Sequence, residues 1–168
     1  MQIELSALPD IGEAFRLYRA AIDYQRMNGY NLWPEFEYDL IKNEILEKRH
    51  YKIMEDDQVA CVFSVVYNDP IIWEEKDKDP SIYLHRIATN PLFKGRNMMD
   101  IIVKWSHEHA RHHNKKFIRM DTWGDNEKLK KYYTNCGFRY LGQKQLPQPN
   151  PLPQHYWGTS LSLFEIKL

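Results

Sequence analysis

At 168 residues the chain is about the size of one ordinary domain, long enough to bury a core and too short for two generous ones. Hydrophobic residues at 43% and charged residues at 27% are the values of soluble globular proteins, which sets aside disordered and fibrous classes. The 23 basic and 23 acidic side chains cancel, so no overall charge draws the chain to nucleic acid or an anionic membrane, and a charged ligand must be met locally.

Residues 2–5 alternate polar and apolar as a short strand, and Pro9-Asp10 open a helix with apolar positions Ile11, Ala14, Phe15, Tyr18 and Ile22. A loop over 27–34 carries Tyr30 and Trp33, and a second helical pattern runs over 36–47. Residues 51–54 and 59–67, rich in Val and aromatics, predict a hairpin around Glu55-Asp56-Asp57. A charge run over 74–79 predicts a solvated loop, and 81–89 another strand. A helix over 98–113, a strand over 117–123, a helix over 126–135 and a strand over 138–142 follow, the last after the Cys136-Gly137 stop. A proline-rich stretch over 146–153 precedes a last strand over 156–166. This order is a mixed α/β layout around one sheet, a single domain over 1–168.

The N-terminus lacks the basic flank and apolar stretch of a signal peptide, and no apolar run nears the roughly 20 residues of a membrane helix. Cys61 and Cys136 have no metal-site spacing. The expectation is a cytoplasmic protein without membrane or nucleic-acid partners.

The most informative segment is Asn90-Pro91-Leu92-Phe93-Lys94-Gly95-Arg96-Asn97-Met98, a glycine-containing turn between a strand and a helix start. Such a turn gathers backbone N–H groups that, with the positive end of the helix dipole, can hold phosphate, and Lys94 and Arg96 add charge. An ordinary connection has the same outline.

Further motifs carry a family resemblance. The run Leu84-His85-Arg86-Ile87-Ala88-Thr89-Asn90-Pro91, the glycine turn, and Asn126 with Tyr133 seven residues on and Gly137-Phe138 after three more resemble the GCN5-related N-acetyltransferase (GNAT) family. The resemblance is clearest over 83–142. It departs at Leu92 and Asn97, where the family's turn favours Arg or Gln and Gly or Ala.

The resemblance implies an α+β fold: a mixed, twisted sheet of about six or seven strands with helices on both faces. It implies acetyl-CoA as cosubstrate, with Lys94, Gly95, Arg96, Asn97 and Met98 at its pyrophosphate, Ile87 and Thr89 along its arm, and Asn126 and Tyr133 beside it. Transfer needs a neutral amine, a donor to the oxyanion and a proton for the departing thiolate. A phenol is protonated at neutral pH, so Tyr133 is the acid expected, while Tyr132 lies about 100° away round the helix. For the base His85, Glu35, Asp121 and a water chain all stay open. Tyr30, Trp33, Glu35, His85 and Trp123 are expected at the acceptor, a small-molecule amine by preference; Trp33 and Trp123 fit pocket wall and core closure equally.

Other readings stand beside these. Tyr133 can be a core tyrosine and Asn126 a helix cap. His109 and His113, one helical turn apart, invite a metal, but no Cys or carboxylate stands at a supporting interval, so no metal site is expected. Cys136 has no neighbour to lower its pKa and should be inert. A peptide or protein amine is the alternative acceptor, and a non-catalytic CoA-binding sensor or interaction module the alternative function. The C-terminal strand, with Trp157, Leu161, Leu163 and Ile166, suggests pairing across a homodimer.

Overall fold

The computed structural model describes residues 1–152 and 156–168. Its strands are β1 (Gln2–Leu5), β2 (His50–Glu55), β3 (Gln58–Val66), β4 (Ser81–Thr89), β5 (Phe117–Trp123), β6 (Arg139–Gln145) and β7 (Ser160–Lys167). Its α-helices are α1 (Ile11–Met27), α2 (Tyr38–Leu46), α3 (Pro70–Trp73), α4 (Met98–His112) and α5 (Glu127–Asn135). The strands form one seven-stranded mixed sheet in the order β1-β2-β3-β4-β5-β7-β6, as the resemblance implies. The β1–β2, β2–β3, β5–β7 and β6–β7 pairs are antiparallel, and β4 pairs β5 in parallel over Ser81–Leu84 and Phe117–Met120. Chain contacts divide the molecule into two compact units, one of residues 1–65 and 85–98 and one of residues 66–84 and 99–168.

In the first unit α1 buries Ala14, Leu17, Tyr18 and Ile22, the three- and four-residue spacing of one helical face. Ala14, Leu17 and Tyr18 pack with Ile41 and Ile45 of α2, Val62 of β3 and Ala88 of β4. The second helix begins at Tyr38, not 36, because Glu37 is extended and Phe36 turns onto the core, its ring 5.0 Å from that of Tyr18. Buried polar groups are paired here: His50 Nε2 meets the Tyr18 hydroxyl at 2.9 Å and its Nδ1 the Ser6 hydroxyl at 2.7 Å. Burial pushes His50 down to about 4, so it packs as a neutral ring at pH 7.

In the second unit Ile72, Trp73, Tyr83, Leu146 and Leu161 form the core cluster. The charge run over 74–79 is mostly exposed to solvent, as expected, but it is not free. It winds into a 3₁₀ turn, Glu74–Lys78, and is pinned by Arg119, which is buried and bonds the Lys76 carbonyl and, at 2.8 Å, the Asp79 carboxylate. The same guanidinium meets Glu165 at 2.9 Å, its cross-strand partner on β7, so a charge too costly to bury alone is matched on two sides.

The last strand starts at Ser160 instead of 156, since Tyr156–Thr159 close a turn with Gly158 at φ 67°. It lies between β5 and β6, both its edges paired, which removes it as a strand for pairing across a dimer. The strand expected to stop at Gly142 runs on to Gln145, with the glycine accommodating a register shift at φ 109°. Of the proline-rich stretch, Pro153 lies outside the described residues.

Candidate functional site

The turn after β4 is held from below and open above. Asn90 is buried; its backbone N–H donates to the Ala60 carbonyl at 2.8 Å, its side-chain amide donates to the Val59 carbonyl at 2.9 Å, and its side-chain oxygen accepts from the Leu92 N–H at 3.1 Å. Phe93 is buried behind it, while Lys94, Gly95, Arg96 and Asn97 are exposed and Met98 is buried as it opens α4. Gly95 at φ 83° and Asn97 at φ 52° both adopt left-handed backbone. Left-handed residues alternating with others turn successive amides to one side, and the first amides of a helix have no partner within it. A Cβ on Gly95 would meet no atom within 4 Å, so position 95 requires the conformation and not the space. Asn is the non-glycine residue best suited to that region, which accounts for Asn97 where the family prefers a smaller residue. Arg96 pairs with Glu55 at 3.0 Å and Lys94 lies 4.6 Å over the Tyr24 ring.

Within β4, Arg86 sits at φ 50°, a left-handed residue in mid-strand immediately before Ile87. Glu44 holds it. That carboxylate is buried on α2, bonds the Arg86 guanidinium, accepts from the Ser64 hydroxyl at 2.6 Å and lies 3.7 Å from Arg49. None of these was singled out from the sequence, although Glu44 on the apolar face of α2 between Ile41 and Ile45 was a signal. Arg86 thus breaks the regular pleat where the resemblance calls for unpaired amides. Thr89 donates to the Cys61 sulfur at 3.7 Å, and burial pushes the Cys61 thiol up to about 12, out of use as a nucleophile.

Of the expected acceptor residues in this unit, Trp33 packs on the core, its ring 6.5 Å from Tyr18 and 5.5 Å from Phe36, and keeps a half-exposed face. Its backbone N–H donates to Gln25 at 2.7 Å. Tyr30 lies against Tyr24, Glu35 is exposed and His85 is half-buried.

In the second unit Asn126 caps α5, its side-chain oxygen accepting from the N–H groups of Lys128 and Leu129 at 3.1 Å each. The helix ends at Gly137, φ 95°, where Gly137 and Phe138 donate to the carbonyls of Thr134 and Tyr133. The Asn-to-Tyr-to-Gly-Phe spacing is therefore the length of one short helix with Tyr133 in its last turn. The Tyr133 ring is half-buried, 5.3 Å from Phe164 and 6.3 Å from Phe138, whereas Tyr132 is exposed. Trp123 is half-buried against the core cluster, its ring 5.5 Å from Tyr156, and Asp121 is half-buried on β5. The Cys136 thiol is pushed up to about 11 by burial and by Asp100, as expected of an inert cysteine.

The profile of the Acetyltransferase (GNAT) family matches residues 14–138, well over half of the chain. The chain belongs to the GNAT family. Among its relatives is the uncharacterized N-acetyltransferase YesJ of Bacillus subtilis (strain 168), 26% identical over 102 residues. That match covers 58% of this chain and 57% of the relative's length. A GNAT-family acetyltransferase structure from Listeria monocytogenes 4b F2365 superposes over 99% of this chain and 94% of its own, with TM-score 0.79 at 19% identity. The yncA putative acetyltransferase of Salmonella typhimurium, solved with its cofactor acetyl-CoA, covers 99% of this chain and 93% of its own, with TM-score 0.66 at 14% identity. At these identities the two structures establish that this GNAT protein has the family's fold. Among the described residues no helix is long and apolar enough to cross a membrane.

Proposed function

We propose that this GNAT protein, acting as one domain over residues 1–168, transfers an acetyl group from acetyl-CoA to the amine of a small molecule. The observation that carries the reading is the Lys94–Met98 turn, with left-handed backbone at Gly95 and Asn97 at the opening of α4. Amides so turned suit a pyrophosphate, with Lys94 and Arg96 supplying charge. Membership of the family, and the acetyl-CoA bound by yncA, support acetyl-CoA as the source of that pyrophosphate. Both cysteines are free, which fits a reducing compartment, and we place the activity in the cytoplasm.

In this reading Ile87 and Thr89 line the pantetheine arm, and the Ile87 N–H, next to the left-handed backbone of Arg86, donates to the thioester oxygen as charge gathers there. The amine nitrogen bonds to the acetyl carbon and the carbon–sulfur bond breaks. Tyr133 gives its proton to the departing sulfur, and the proton shed by the amine goes to His85, Glu35 or Asp121, directly or through water. Asn126 keeps the start of α5 in place beside this chemistry. The half-exposed face of Trp33, with Tyr30, Glu35, His85 and Trp123, receives the acceptor, and zero net charge favours a small amine over a strongly charged macromolecule.

Thermal unfolding with and without acetyl-CoA tests the binding step, because a ligand that binds only the folded state must raise its stability. A clear upshift followed by thiol release on a panel of amines is expected. No shift at millimolar acetyl-CoA would sink the reading, and a shift without thiol release on any amine would favour a CoA-binding module. Faster turnover on peptides than on small amines would move the acceptor to the other class.

A further inference from the structure

Outside the residues given a part in acetyl transfer, the C-terminal turns of α4 carry a constellation of their own. His109 and His113, one helical turn apart, both aim Nε2 at the hydroxyl of Tyr67, at 2.9 and 3.4 Å. The His113 Nδ1 lies 2.8 Å from the His109 carbonyl, an acceptor only, so Nδ1 carries the proton and Nε2 presents its lone pair. That is the arrangement of a metal-binding histidine, whose second nitrogen is tied to a carbonyl that fixes tautomer and ring direction. Two ring nitrogens from successive turns of one helix thus converge on one hydroxyl oxygen.

We propose that His109, His113 and Tyr67 bind one borderline-soft divalent cation of the zinc, nickel and copper group. Imidazole nitrogens suit these ions, and two histidines with one oxygen leave a fourth position for water. With a metal–nitrogen distance of about 2.1 Å and a ring radius of about 1.1 Å, two imidazoles on one ion have centroids about 4.5 Å apart at a right angle and about 5.2 Å apart at the tetrahedral angle. The observed separation is 4.2 Å, so the rings part by up to about 1 Å to take an ion.

Trp105 stacks on His109 at 4.4 Å and fixes its far face. Lys115, 5.5 Å over the Tyr67 ring, is a nearby cationic group and reduces affinity. No metal is expected at these histidines from the sequence because no Cys or carboxylate stands at a supporting interval; Tyr67, 42 residues from His109 in the chain, is brought to them by the fold.

The test is calorimetric titration of untagged, chelator-stripped full-length protein with zinc chloride, alongside cobalt(II) followed by visible absorbance. One ion per chain is expected, with zinc raising the melting temperature. His109→Gln and His113→Gln should each weaken binding by about tenfold or more, Tyr67→Phe should weaken it less, and His107→Gln should leave it unchanged. His113 is exposed, so His113→Gln keeps the test valid if His109→Gln fails to fold. Absence of saturable zinc binding at millimolar metal, or binding that survives His113→Gln undiminished, overturns the proposal.

Discussion

Two turns of this chain lead from a strand past a glycine into a helix, and they treat the helix's open amides differently. Before α5, Gly124 at φ 73° is followed by Asn126, whose side chain fills two of the amides, while Asp125 and Glu127 stand beside them paired to Lys130. Before α4, Gly95 and Asn97 both turn left-handed, Lys94 and Arg96 flank them, Arg96 is paired with Glu55, and Asp100 stands in the first helical turn. The first turn supplies an acceptor for two of its amides between two carboxylates; the second is led by two cations. A glycine between strand and helix is thus no anion site by itself. What separates the two is whether the chain supplies its own acceptor and which sign of charge flanks it.

The comparison can be broken most sharply at position 95. In Gly95→Glu the new side chain enters open space but forces a strained φ and sets a carboxylate among the amides; the acetyl-CoA-induced rise in melting temperature should vanish, while the unliganded melt falls only modestly. An undiminished ligand shift would place the anion elsewhere. At the other end of α5, Tyr133→Phe should lower kcat by about a hundredfold with the KM for acetyl-CoA nearly unchanged, as loss of a proton donor acting in the transition state requires. Unchanged kcat would return Tyr133 to a packing role against Phe164 and Phe138.

Asn126→Ala should cost about 1 kcal/mol of stability in denaturant unfolding, the ordinary worth of a cap. An accompanying fall in acetyl-CoA affinity larger than that loss explains would show that Asn126 also touches the cosubstrate. The smallest effect is expected of Asn97→Gly, which removes a side chain from a left-handed position. Stability should change by no more than about 0.5 kcal/mol, and acetyl-CoA affinity should hold or rise slightly. Weaker binding would mean the Asn97 side chain itself serves the ligand.

The sequence by itself determined what short-range pattern can specify. The apolar spacing of α1, the glycine turn ahead of α4, and the Asn126 cap with the Gly137 stop that measure out α5 all rest on residues within a few positions of one another. The glycine turn and the α5 spacing also carried the family resemblance, so the existence of the turn and the place of Tyr133 within α5 could be read from the sequence. Tertiary structure decided the rest, because the deciding partners are far apart in the chain. Glu44 reaches Arg86 across 42 residues, and Arg119 reaches Glu165 across 46 and pins the exposed charge run over 74–79 into a turn. The left-handed conformation of Arg86, the placing of the last strand between two others, and the choice of Trp33 to lean on Tyr18 follow from packing among distant segments. No local periodicity records such contacts, since a sequence pattern shows which face of an element is buried but not which charged or aromatic group will meet it there.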